Sequence, residues 1–226
     1  MGWFNFGKGK TLYYPGCAAK FLVKDIQRRH EQILTLLEIE YIKLPELEVC
    51  CGRPALDFGF VDDFKSLRLK NMEAFENQKV KKIISSDPKC YSTINKKYED
   101  VEVVHISRVI LENLDKIDKN FDGQEPVTFY DSSNPEKLTE LYENPRKILK
   151  ELGMNLVELE FNKEKSLCCG EELRSISPKV ADRMAEEVLK QVKTRTLITM
   201  SPNSYIHLKK NNRYGIKILE LSEVLV

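Results

Sequence analysis

The chain has 226 residues, 42% of them hydrophobic and 31% charged, and its 36 basic and 35 acidic side chains leave a formal net charge of +1. So even a balance excludes an electrostatic case for nucleic-acid binding, and no apolar run approaches the roughly 20 residues of a transmembrane helix. The opening Met1-Gly2-Trp3-Phe4-Asn5-Phe6 lacks a signal-peptide core, and Phe6 stands where a myristoylation motif needs Ser or Thr. The expectation is a cytoplasmic protein whose cysteines do metal or redox work, with any membrane contact made through a partner subunit.

Short apolar runs alternate with longer amphipathic ones along the chain. Lys10–Tyr14 reads as a strand and 18–37 as a helix with Phe21, Ile26, Ile33, Leu34 and Leu37 on its apolar face. A strand at 41–44 leads into an irregular loop through Cys50-Cys51, followed by a helix at 62–78 and strands at 80–84 and 101–104. The segment 115–126 is polar, contains Gly123 and Pro126, and reads as a linker. Beyond it come strands at Val127–Tyr130, 155–159, 196–200 and 216–219, and helices at 135–152 and 178–193, the last opening on Pro178. Strand–helix alternation predicts α/β architecture with parallel sheets covered by helices.

The two halves match each other. Cys50-Cys51-Gly52 returns as Cys168-Cys169-Gly170, 11–17 returns as 128–133, 82–91 as 196–205, and 104–109 as 219–224. A nearly constant offset of about 115 residues marks a duplication. The expected division is a first repeat at 1–122 and a second at 123–226, each a small, mainly parallel sheet covered by helices.

Four of the six cysteines lie in the two adjacent pairs. A lone pair is often two inert buried thiols, but two pairs, each followed by glycine and related by a repeat, point to chemistry. Neighbouring thiols suit a multi-metal group better than a single tetrahedral ion, whose ligands are normally spread as C-x₂₋₄-C. Cys17 follows the first strand, and Cys90 opens the helix after the strand at 80–84. Sites in open parallel sheets form outside the carboxyl ends of strands, so the Cys50-Cys51 loop is expected to close over Cys17 and Cys90. Four such thiols would serve a [4Fe–4S] cluster or zinc.

The order Cys17, Cys50-Cys51-Gly52 and Asp87-Pro88-Lys89-Cys90, with Asn144-Pro145-Arg146 ahead of the second CCG, resembles the CCG or cysteine-rich domain family. That domain occurs twice in the B subunit of heterodisulfide reductase and in iron–sulfur subunits that oxidise glycolate, lactate and glycerol 3-phosphate. The resemblance runs from Thr11 to Val226. It implies an iron–sulfur oxidoreductase subunit that relays electrons or reduces a thiol or disulfide at a cluster held by Cys17, Cys50, Cys51 and Cys90. Asp87 stands at the first position of the family's C-x-x-C, either as an oxygen ligand or as the mark of a lost one. In the second half Ser133 replaces the lone cysteine, and Ser201 and Ser204 replace the C-x-x-C. These are degenerate ligand positions, and Cys168-Cys169 is left as a secondary redox pair, a relic, or a partial ligand set completed by another chain. No ferredoxin-like C-x₂-C-x₂-C-x₃-C run is present, so electrons would come from a separate ferredoxin-like or flavin-containing subunit. A zinc-stabilised partner-binding scaffold and a dithiol switch are the competing readings.

Other signals are weaker. Gly7-Lys8-Gly9-Lys10-Thr11 ends like a phosphate-binding loop, but Phe4 replaces the first glycine and a strand follows instead of preceding it. His30, His105 and His207 lack metal-type spacing and read as surface or packing residues. Phe58, Phe60, Phe64 and Phe75 read as packing.

Overall fold

The computed structural model describes residues 9–47, 49–117, 125–132 and 137–226. The described strands form two three-stranded parallel sheets. The first comprises β1 (Lys10–Tyr14), β2 (Val80–Ser85) and β3 (Glu102–His105), in that order across the sheet. The second repeats it with β4 (Val127–Tyr130), β5 (Thr196–Thr199) and β6 (Lys217–Glu220). Register aligns the strand ends: Tyr14 lies opposite Ser85 and Ser85 opposite His105, while Tyr130 lies opposite Thr199 and Thr199 opposite Glu220. The α/β fold and its duplication are therefore as expected. The boundary between residues 122 and 123 lies outside the described residues, as do Phe4, Gly7 and Lys8 of the phosphate-loop-like run.

Local structure departs from the sequence reading in three places. The helix expected over 18–37 is two, α1 (Cys17–Phe21) and α2 (Lys24–Leu36), because the chain leaves helical geometry at Val23, with φ −132° and ψ 64°. The strands expected at 41–44 and 155–159 shrink to single parallel bridges, Leu12 with Ile42 and Val127 with Leu156. Short helices not foreseen include α3 (Arg53–Asp57) and α6 (Ile106–Glu112). The remaining helices are α4 (Val61–Asn77), α5 (Pro88–Lys97), α7 (Thr139–Glu151), α8 (Pro178–Lys190) and α9 (Pro202–Lys210).

One apolar cluster joins the repeats: Val109 and Ile110 of α6 pack in the same core as Leu141, Ile148 and Leu149 of α7, with Leu12, Ile83 and Phe129 from the sheets. A second gathers Tyr130, Leu159, Ala185, Val188, Leu197 and Leu208, and Ile26 of the first repeat joins it. All three histidines are buried. His105 caps α6 by accepting from Ser107 N–H, and His30 Nε2 lies 3.4 Å from the Glu220 carboxylate across the repeat boundary. Phe64 and Phe75 pack inside, but Phe58 and Phe60 are exposed.

One charged side chain of α7 is turned inward. Arg146 is buried and grips Asp131 with two bonds of 2.7 Å, and Glu158 with two more. This fork–fork pairing fixes the turn after β4, the counterpart of the turn that carries Cys17.

Gly170 shows how tightly the second CCG turn is built. Its φ is +84°, and an added Cβ would stand 2.9 Å from both the Cα and the carbonyl oxygen of Ala181 on α8. Gly153 has a similar φ of +80° with nothing within 4 Å. Gly153→Ala is expected to cost about 1 kcal/mol from backbone strain alone. Gly170→Ala adds a backbone clash and should cost about 3 kcal/mol, a Tm loss of roughly 6–12 °C in a chain of this size. Thermal unfolding of the two variants checks the difference.

Candidate metal centre

The carboxyl edge of the first sheet delivers its cysteines through three turns. Cys17 opens α1 directly after β1 and Gly16. Cys90 lies in the first turn of α5, which leaves β2 through Ser86 and Asp87. Cys50 and Cys51 precede α3, with Gly52 at its N-cap in the left-handed region, φ +85°. A Cβ on Gly52 would lie 2.6 Å from the Phe64 ring, so only glycine lets the chain turn there between the thiols and α4.

Buried side chains hold the Cys50-Cys51 loop. Asn71 of α4 accepts from Val49 N–H at 3.0 Å and donates to the Cys50 carbonyl at 3.1 Å and to Tyr98 Oη at 3.0 Å. Tyr98 in turn donates to the Cys51 carbonyl at 3.2 Å, and Tyr14 to the Val49 carbonyl at 2.5 Å. The second repeat preserves the last contact, with Tyr130 donating to the Leu167 carbonyl at 2.9 Å. The structural counterpart of Tyr130 is thus Tyr14, the strand-end residue.

The four thiols line one cavity wall and perturb one another in turn, Cys17 with Cys50, Cys50 with Cys51 and Cys51 with Cys90. Cys51 and Cys90 are buried, Cys50 is half-buried and Cys17 is exposed. Donation from the Cys17 and Cys51 thiols, with Gly52 N–H, pulls Cys50 down to about 3 despite its burial. Cys17 is pushed up chiefly by the neighbouring Cys50 side chain, and Cys51 by Cys50 and Cys90 and by burial. At Cys90 the Cys51 thiol pulls downward, but burial and the Asp87 charge outweigh it and leave the group at about 11.

These sulfurs line a cavity of about 550 Å³ between the repeats. Leu22 and Phe58 line it too, as do Arg53 and Lys89 from the first repeat and Glu171, Glu172, Arg174 and Asn203 from the second. Among the described residues no group of three or more His, Cys, Asp or Glu is arranged to hold a single ion. Four thiols on one cavity wall are the donor type that iron–sulfur clusters take.

Asp87 has a structural task. Its Oδ1 accepts from Lys89 N–H at 2.9 Å and Cys90 N–H at 3.0 Å, capping α5. Ser201 caps α9 in the same way, accepting from Ser204 N–H at 3.3 Å. Asp-Pro and Ser-Pro ahead of a helix were readable as N-caps.

In the second repeat Cys168 and Cys169 are free thiols, and Ser133 lies outside the described residues. The Cys168 thiol accepts from Gly170 N–H at 3.4 Å, as Cys50 does from Gly52 N–H at 3.5 Å. Cys169 instead donates to Glu171 Oε2 at 2.9 Å, and the Ser204 hydroxyl donates to the same oxygen. Glu171 is buried, and its Oε1 faces Lys89 Nζ at 2.6 Å, an ion pair rather than a well-angled hydrogen bond. Sequence reasoning missed Asn71, Lys89 and Glu171. For Glu171 the only signal was an acid where the first repeat has Arg53 after its CCG.

The profile of the CCG cysteine-rich domain matches residues 11–95 and again 127–209. The chain belongs to that family. It is 37% identical over 114 residues to a probable iron-sulfur-binding oxidoreductase, FadF, of Bacillus subtilis, covering 47% of this chain and 16% of that one. To the B subunit of fumarate reductase (CoM/CoB) of Methanothermobacter marburgensis it is 25% identical over 227 residues, covering 94% and 45%. To lactate utilization protein A 1 of Bacillus mycoides it is 23% identical, covering 96% of each. The chain thus spans less than half the length of the first two and nearly all of the third. No helix among the described residues is long and apolar enough to cross a membrane.

The double role open to Asp87 can be separated by substitution. Asp87→Asn keeps an acceptor for both N–H groups and should leave stability and any bound iron unchanged, whereas Asp87→Ala should cost about 1 kcal/mol through loss of the cap. Loss of iron from Asp87→Asn at unchanged Tm would make the carboxylate a ligand.

Proposed function

We propose that this chain is the CCG-type iron–sulfur subunit of an oxidoreductase complex, with one [4Fe–4S] cluster held by Cys17, Cys50, Cys51 and Cys90. The observation that carries the reading is the placement of all four thiols on the wall of one inter-repeat cavity. The naming of its relatives as iron-sulfur and reductase proteins supports it.

When bound, such a cluster takes up and returns one electron at a time. The protein's own groups would do the rest. Buried Cys51 and Cys90 keep water from one side, while exposed Cys17 and half-buried Cys50 leave the other side open to a partner or a thiol substrate. Exposed Leu22 and Phe58 line the cavity, an apolar setting suited to a ferredoxin-like or flavin-containing partner subunit. Loading requires Cys17, Cys51 and Cys90 to release protons, and their upward shifts make that release favour high pH.

Protein purified without oxygen is expected to carry about four irons and four sulfides per chain, with absorbance near 400 nm that dithionite bleaches. Cys17→Ser and Cys90→Ser should each lose most of that iron. About one zinc per chain and no sulfide would overturn the reading in favour of a metal-stapled partner-binding scaffold.

A further inference from the structure

The chemistry-bearing residues of the second repeat are not idle. Glu171 occupies the space beside Cys169 and Ser204, and it is 4% exposed. A carboxylate so buried needs donors for its oxygens and a countercharge. Cys169 and Ser204 supply donors to one oxygen, and Lys89 supplies the countercharge at the other. Lys89 belongs to the first repeat, precedes Cys90 in α5, is 7% exposed, and lines the same cavity as the four thiols. Glu172 closes on the same ammonium at 2.5 Å. One cation held between two carboxylates thus lines the same cavity as the thiols, and the degenerate repeat fixes its position.

We propose that Lys89 is a positioning residue for the thiol-bound group, anchored by Glu171 through Cys169 and Ser204, and that this charge array sets the reduction potential of that group. The inference rests on the iron–sulfur reading above. It assigns Cys169 a task other than binding a second cluster or forming a disulfide: its thiol is a hydrogen-bond donor that a serine hydroxyl can replace. Charge near a cluster tunes its potential because reduction adds a negative charge that a fixed cation favours and a fixed anion opposes. Removing the cation takes away a charge that favours reduction, and removing the Glu171 anion takes away one that opposes it, so the two changes act with opposite sign.

The test is redox titration of anaerobically purified protein, followed by the cluster's visible absorbance, with iron and sulfide counted for every variant. Lys89→Met should lower the midpoint potential and Glu171→Gln should raise it, each by at least tenfold in the reduction equilibrium, about 59 mV for one electron. Lys89→Arg should restore the wild-type value. Cys169→Ser should keep both the wild-type potential and the wild-type iron count. If Lys89→Met sheds iron while Lys89→Arg keeps it, the charge is needed to hold the anionic group, which also supports the assignment. Potentials that do not move, or that shift the same way in Lys89→Met and Glu171→Gln, would overturn it, as would loss of iron from both lysine variants. A fall in iron on Cys169→Ser would make the second pair a ligand set and overturn it too. Wild-type protein without iron or sulfide would defeat the iron–sulfur reading itself, and this inference with it.

Discussion

Parallel strand pairing is the constraint on which the molecule depends. In an antiparallel sheet successive loops leave from opposite edges, but here each strand returns to the same side through a helix, so every turn after a strand emerges at one edge. Tyr14, Ser85 and His105 end level with one another, and the turns bearing Cys17 and Cys90 begin within a few residues of that line. The Cys50-Cys51 loop needs no fourth strand to reach them. A single bridge at Ile42 orients its start, and buried Asn71 and Tyr98 fix its end. The sheet supplies approximate convergence, and polar pins inside the core supply the remaining precision.

The sequence made the architecture plain wherever the signal was periodic or repeated. Six strand positions, the long helices and the duplication could be read because apolar spacing and a constant offset are properties of the chain itself. What could not be read depends on partners distant in sequence. Val23 breaks a helix that its apolar spacing continues, since spacing reports which face is buried and not whether the backbone stays helical. Residues 41–44 and 155–159 alternate well enough for strands, yet only one residue of each pairs with the neighbouring sheet. Arg146 looks like one charge among many on α7 until Asp131 and Glu158 close around it.

At the candidate centre the four cysteines were legible because thiols are scarce and their order is distinctive. Asp87 was harder, because an aspartate in a cysteine's place invites a ligand interpretation. The structure gives it the task any Asp before Pro at a helix start performs, and Ser201 repeats that task in the other half. Both residues cap a helix, a backbone role that needs only a short side chain with an acceptor oxygen.

Divergence between the repeats therefore exchanges functions instead of merely losing them. In the first half the CCG turn places its two thiols with Cys17 and Cys90 on one cavity wall. In the second, the same turn places Cys169 against a carboxylate that the first repeat lacks, and Ser204, the counterpart of Cys90, donates to it as well. A buried carboxylate left without partners would cost several kcal/mol, and Glu171 is held by Cys169, Ser204 and, as countercharge, Lys89 from the other repeat. The ion pair makes the halves mutually dependent at the point where their strand ends face each other. Two apolar clusters join the repeats around this contact, and the pair, 2.6 Å apart, sits on the wall of the cavity that the four thiols also line.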